Sequence, residues 1–375
     1  MTMLKHSVRH RPGSARMTLI ACLLGFAATP AAVLAQGAPE VLASGLSNPR
    51  GIAFAPNGAL YVAEAGIGGP GPCVRSPSQP AQRCYGETGA ITRIKPEGGF
   101  ERILSGLPSL ALPGGFAEGG VADLSFLGTS MYATFGWGGD PANRAELGDL
   151  GKVFGTTWHI TPSGRHQVIA DVAAHETANN PAGGPVDSNT YGILALPGRR
   201  IIADAGANAL IELQANGHTR TLRVIPPITV PATRESVPTS VALGPDGALY
   251  VGELTGFPFF TGAASVLRLA SDGSSLETFA SGFTAIVDIA FDNGGALYVL
   301  EIARGQSTPF PPPNPGLGAG RLVRKCPGQA ATVVLGGLLF PAGVAIGPDD
   351  AAYVTNRSTL GTTGEVLRLP LEPCS

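Results

Sequence analysis

Short runs in which apolar and polar positions alternate recur along the chain, in pairs separated by a turn dipeptide. The clearest copies are Gly51-Ile-Ala-Phe-Ala-Pro-Asn-Gly-Ala-Leu-Tyr-Val-Ala-Glu64 and Ser240-Val-Ala-Leu-Gly-Pro-Asp-Gly-Ala-Leu-Tyr-Val-Gly-Glu253. Residues 288–301 and 343–356 repeat the pattern, and 123–135 and 192–204 are weaker copies. Each copy predicts a strand, a tight Asn-Gly or Asp-Gly turn that supplies positive φ, and a second strand. A third strand follows most copies, as in Ala264-Ser-Val-Leu-Arg-Leu269, and then a fourth, as in Leu276-Glu-Thr-Phe-Ala-Ser-Gly-Phe283. Six copies of four antiparallel strands predict an all-β fold, a six-bladed β-propeller. No sustained helical stripe competes with the period of two.

The last copy stops after its third strand. Its fourth-strand pattern is found at the other end of the chain, in Pro39-Glu-Val-Leu-Ala-Ser-Gly-Leu46. Residues 39–46 are therefore expected to close the ring as the outer strand of the last blade, covering an edge open to aggregation. The predicted blades span about 49–107, 119–172, 187–227, 237–282, 283–338 and 340–371, in a single domain over 36–375.

Residues 1–35 read differently. Lys5, Arg9, Arg11 and Arg16 precede the apolar run Met17–Phe26, and Val33 and Ala35 fit a signal-peptidase site. This predicts a signal peptide cleaved near Ala35 and a secreted or periplasmic protein. Leu19-Ile-Ala-Cys22 resembles a lipoprotein box, but only five apolar residues precede Cys22, which is short for a lipoprotein leader. No later stretch is long enough for a transmembrane segment. Abundant Gly (53) and Pro (33) suit many turns, and a 44% apolar content argues against disorder. A net charge of −2 provides no footprint for nucleic acid. The mature chain is expected to be a monomer with a small molecule or an exported protein as partner.

Four cysteines remain after cleavage. Of three possible connectivities, spacing favours Cys73–Cys84, which closes a short loop, and Cys326–Cys374, beside the ring closure.

Aligning the copies shows which side chains share a level of the ring. The end of the second strand carries Glu64, Phe135, Asp204, Glu253, Glu301 and Asn356. Its four carboxylates are candidate metal ligands, for a hard cation such as Ca²⁺ that takes six to eight oxygens. They are equally placed to accept backbone N–H groups and lock their blades. The first position of the innermost strand is Gly or Ser except at Asp123 and Asp288, in blades two and five, facing each other across the ring. These two break the repeat and are candidate binding residues.

Further candidates lie in long links on one face, where binding groups concentrate. The stretch 175–191 carries the catalytic candidates His175, Glu176 and Asp187, and the binding candidates Asn189 and Tyr191. It contains no H-E-x-x-H site, since position 179 is Asn. The same residues also suit a hydrogen-bonded loop. Links at 65–88, 135–144, 255–260 and 309–315 add Trp137, Arg144 and three phenylalanines (Phe257, Phe259 and Phe260), which would wall a pocket or pack the loops. Serine-hydrolase elbows, P-loops and dinucleotide fingerprints are absent.

Three stretches carry a family resemblance: Tyr132-Ala-Thr-Phe-Gly-Trp-Gly-Gly-Asp-Pro-Ala-Asn-Arg144, Ala203-Asp-Ala-Gly-Ala-Asn-Ala-Leu210, and residues 237–259. Through them the mature chain resembles the ScyD/ScyE family of exported, NHL-like propellers. The resemblance implies export and a six-bladed NHL-like fold, and supplies no reaction. Two function classes follow: a binding or interaction module with its ligand on the loop-rich face, or an enzyme. The enzyme would be a metal-dependent lactonase-like hydrolase or a quinone-dependent sugar dehydrogenase. Ala43-Ser-Gly-Leu-Ser-Asn-Pro-Arg50 resembles the opening of such dehydrogenases, whose site needs a His base and cationic partners. Arg50, Arg144 and His175 are the available residues.

Overall fold

Twenty-five strands and two short helical segments make up the described residues, which are 38–303 and 319–374 of a computed structural model. They belong to one unit, Gln36–Ser375. The leader, Cys22 and the 309–315 run lie outside the described residues.

The chain begins with β1 (Glu40–Leu46). Next come β2 (Pro49–Phe54), β3 (Leu60–Glu64), β4 (Cys73–Arg75), β5 (Gln82–Ile94) and β6 (Phe100–Ala111). The following group is β7 (Ala117–Leu127), β8 (Ser130–Gly136), β9 (Thr156–Ile160) and β10 (His166–Asp171). A 3₁₀ segment, Pro141–Val153, lies between β8 and β9, and the helix α1 (Val172–Asn179) follows β10. Then come β11 (Thr190–Leu196), β12 (Arg199–Asp204), β13 (Ala209–Gln214) and β14 (Thr219–Val224). The next four are β15 (Pro238–Leu243), β16 (Leu249–Glu253), β17 (Ala264–Leu269) and β18 (Leu276–Phe283). After them run β19 (Ile286–Phe291), β20 (Leu297–Glu301), β21 (Gly320–Lys325) and β22 (Thr332–Leu338). The last three are β23 (Gly343–Ile346), β24 (Ala351–Asn356) and β25 (Gly364–Pro370).

β11–β14, β15–β18 and β19–β22 are separate four-stranded antiparallel meanders. Their hairpins form where the turn dipeptides predict them: Gly247, at φ 77°, donates to the Gly244 carbonyl at 3.0 Å. A fourth sheet has the order β1-β25-β24-β23, so the first strand pairs with the last. Glu40 faces Arg368 and Leu46 faces Gly364. Asn48, fully buried and in the left-handed region that Asn tolerates, ties this seam. Its amide donates to the carbonyls of Gly66 (2.7 Å) and Gly115 (2.6 Å) and accepts from Gly361 N–H (3.0 Å).

The first two predicted blades differ from the expectation of separate sheets. The meanders β2-β3-β5-β6 and β7-β8-β9-β10 are joined into one nine-stranded sheet, with β4 paired to β5. The cause is the first insertion. β5 and β6 run past the level at which other blades stop, and β6 then pairs with β7 through Leu110–Gly119 and Ala111–Ala117.

Side-chain burial follows the sheets. Six hydrophobic clusters each take residues from two successive meanders: Val287, Tyr298 and Leu322 pack on Val344, Val354 and Leu367, and Leu42 and Val366 pack on Ile52 and Val62. The meanders therefore stack face to face around a central channel, the arrangement of a β-propeller.

Both expected disulfides are present, Cys73–Cys84 and Cys326–Cys374. The second spans a sequence separation of 48 and ties the tail after β25 to the neighbouring sheet. Its replacement by serines is expected to remove about 3–4 kcal/mol by the loop-closure relation. Differential scanning calorimetry of the double variant checks this, and an unchanged melting temperature would contradict it.

Candidate functional site at the mouth of the channel

The innermost strands approach one another closely because their first residues are small. A Cβ on Gly51 would meet Asp123 Oδ1 at 2.0 Å, and one on Gly343 would meet the Arg50 carbonyl at 2.6 Å. Into this tight ring project Asp123 and Asp288. Asp123 accepts from its own neighbour Leu124 N–H (2.8 Å) and from Ile193 N–H on the next sheet (2.9 Å). Asp288 repeats the arrangement with Ile289 and Val344, both at 2.8 Å. Each carboxylate thus bridges two sheets. Burial pushes Asp123 up to about 7. Asp288 is raised well above the carboxylate range, first by burial and then by the charge of Asp123. Arg50 donates to the Ala117 carbonyl at 2.6 Å and to the Tyr191 hydroxyl, whose phenol is raised by burial.

Above this ring opens a cavity of about 300 Å³, lined by residues of several sheets and of the first insertion. Phe116, Val121, Leu254, Ile302 and Phe340 give it apolar walls, while Arg50, Asn189 and Tyr191 face it from the channel side. The remaining wall is the β4–β5 hairpin, whose tip residues Pro77, Ser78 and Gln79 the Cys73–Cys84 bond holds in place.

Two charged residues that the sequence reading did not single out meet in this wall. Arg83 is 1% exposed. Its guanidinium stacks over Trp137 at 4.2 Å and donates to the carbonyls of Trp137 and, at 2.9 Å, Gly138. Glu118 accepts from Ser76 Oγ at 2.7 Å and from Ser78 Oγ. Arg83 Nε and Glu118 Oε2 are 4.0 Å apart, and both are buried with no hydrogen-bond partner among the described residues. Desolvation pulls Arg83 down to about 10 against the opposing pull of Glu118 and Asp187, so it stays charged at neutral pH. These two atoms depart from the rule that buried polar groups are hydrogen-bonded.

The other sequence candidates are dispersed. Trp137 is fully buried in a cluster with Val74, Tyr85, Leu110 and Phe154, behind Arg83. Arg144 donates to the Phe154 carbonyl and to Asp171, both at 2.9 Å, and holds the 3₁₀ segment. His175 turns to the outer strand β14, where its ring meets the hydroxyls of Thr219 (3.1 Å) and Thr221 (2.9 Å). Its neighbour Glu176 points the other way, takes the Asp187 N–H, and is raised to about 7 by burial and then by Asp204. Asp187 accepts from Gly139 N–H at 2.9 Å. These three do not assemble around one reacting centre.

The strand-end carboxylates also remain apart. Glu64 takes Ser47 N–H (2.6 Å), Thr92 and a two-pronged contact from Arg102. Asp204 takes Ser188 Oγ (2.6 Å) and Asn189 N–H (2.7 Å), and Glu301 takes Thr284 N–H (2.7 Å) and Arg321. Each locks the linker of its own sheet. Among the described residues no three His, Cys, Asp or Glu side chains converge on a point suited to a metal ion.

Neither a protein-family model nor a curated protein matches the sequence. Solved structures do match. A luciferin-regenerating enzyme superposes with a TM-score of 0.51 at 11% identity, covering 89% of this chain and 96% of that one. A Bacteroides thetaiotaomicron protein of unknown function gives 0.51 at 10%, covering 88% and 72%. A catalytically inactive virginiamycin B lyase from Staphylococcus aureus gives 0.46 at 16%, covering 89% and 99%. The likeness is one of fold. No helix among the described residues is long and apolar enough to cross a membrane.

Proposed function

We propose that this chain is an exported, six-bladed propeller of the ScyD/ScyE type that binds a small, largely apolar molecule at the mouth of its channel. Six inter-sheet clusters and six sequence copies support the blade count, with the nine-stranded sheet taken as two fused blades. The observation that carries the binding reading is the orphaned pair Arg83 Nε and Glu118 Oε2 in the wall of a cavity with apolar sides and a polar floor. A hydroxyl or amide on the ligand would accept from one and donate to the other. A buried, charge-assisted pair of this kind gives orientation, and the apolar walls give affinity.

The enzyme alternatives draw less support. A quinone-dependent dehydrogenase needs a His base, but His175 is engaged with β14 and no histidine among the described residues lines the cavity. A metal-dependent lactonase needs converging oxygen ligands, and the strand-end carboxylates serve separate blades.

Ligand-observed NMR with a panel of phenols, indoles and small aromatic amides tests the reading. Panel members that bind are expected to lose about tenfold or more in affinity to Glu118→Gln, the cost of one charge-assisted hydrogen bond. Binding that is indifferent to Glu118→Gln, or no binding across the panel, would overturn it.

A further inference from the structure

Glu253 ends β16 as Glu64 ends β3 and Glu301 ends β20, but its surroundings differ in one respect. In the two sibling sheets an arginine from the adjoining strands neutralises the carboxylate: Arg102 reaches Glu64 at 2.9 and 2.7 Å, and Arg321 reaches Glu301. The strand register puts Ser265 where Arg321 stands and Thr278 where Arg102 stands. Both replacements are short. Glu253 is 4% exposed, and the hydrogen bond it receives is the N–H of Ser265. Burial, with no counter-charge among the described residues, raises it to about 7.

Space replaces the missing arginine. Glu253, Ser265 and Thr278 line a groove of about 510 Å³, with Pro226 and Val230 on one side and Leu267 on the other. Val230, on the rim, is 73% exposed. The groove therefore combines a buried carboxylate with a lining that is part apolar (Pro226, Val230 and Leu267) and part polar (Thr278 and Glu277), which suits a cationic head on a methylene stem.

We propose that this groove binds a guanidinium group on an alkyl stem, an arginine side chain supplied from outside, with Glu253 as its carboxylate. The bound group would reproduce the pairing that Arg102 and Arg321 make internally. This site is separate from the cavity at the channel mouth and does not depend on the reading given to it.

The test uses the mature protein at about pH 8 and titrates it with Nα-acetyl-arginine amide, followed by NMR. Saturable binding is expected, at least tenfold weaker for the uncharged analogue Nα-acetyl-citrulline amide and for the Glu253→Gln protein. Ser265→Arg should fill the groove from within, abolishing binding while the melting temperature holds or rises. Tighter binding of a Gly-Arg-Gly peptide than of the amide would point to a polypeptide partner, and equal binding to a free small molecule. Absence of binding, equal binding of citrulline, or binding unaffected by both substitutions would overturn the proposal.

Discussion

The melting temperature of this protein is expected to rise by roughly 5–10 °C as the pH falls from about 8 to about 5. Six carboxyls among the described residues stand above their ordinary values, each chiefly because it is buried. Asp123, Glu176 and Glu253 are raised to about 7, Asp204 to about 6, Asp187 is also raised, and Asp288 is raised further by Asp123. A raised folded value means that the folded state holds protons the unfolded chain has released. Folding is therefore favoured below these values and loses free energy as the pH climbs through them. A carboxyl carried from 3.8 to about 7 accounts for on the order of 4 kcal/mol. His175, lowered by burial, works in the opposite direction as a single group. Below the ordinary carboxylate range the trend reverses. There Glu212, Asp246 and Asp349, which arginines hold low in spite of burial, take up protons and lose their partners. Calorimetry across the range checks the profile, and the Asp123→Asn, Asp288→Asn double variant should flatten its upper limb. Stability that is level or rising between about pH 5 and 8 would contradict the argument.

Arg83→Met is expected to be the most damaging single substitution in the cavity wall, at about 3–5 kcal/mol. The change leaves the carbonyls of Trp137 and Gly138 without their donor and removes the cation facing Glu118. It also uncovers one face of a fully buried indole. Fluorescence offers a direct reading, since the chain has only two tryptophans and Trp158 lies in a different cluster. A red-shifted emission should accompany the lowered melting temperature. Arg83→Lys should fall between, because an ammonium keeps the charge but not the two-pronged reach or the planar stack. A melting temperature within about a degree of the parent would show that Arg83 is not needed to hold this wall.

The repeat was legible because it rests on local rules. Period-two alternation, with Asn-Gly or Asp-Gly turns in three of the six copies, places the strand pairs without knowledge of the rest of the chain. Asp123 and Asp288 were legible for the opposite reason, as departures from small residues at their level. The fusion of the first two sheets was not legible, since it depends on how far the β4–β5 insertion lets β5 and β6 extend. Arg83 and Glu118 escaped notice for a related reason. Arg83 sits in the first insertion and Glu118 at the start of β7, ahead of the repeated segment, so neither has a repeat-mate, and folding of the disulfide hairpin brings them together. His175 and Glu176 show the limit of proximity in sequence. Adjacent positions on α1 point to different sides, so the histidine reaches β14 while the glutamate turns inward.

The pairing of β1 with β25 has a kinetic consequence. Asn48 and Gly361, which meet at this seam, are 313 positions apart. The last sheet therefore cannot complete itself until nearly the whole chain has been made. Until then β1 is an unpaired edge that must stay free of other chains. Closure of so long a loop predicts slow folding and a vulnerable intermediate, a ring open at one blade.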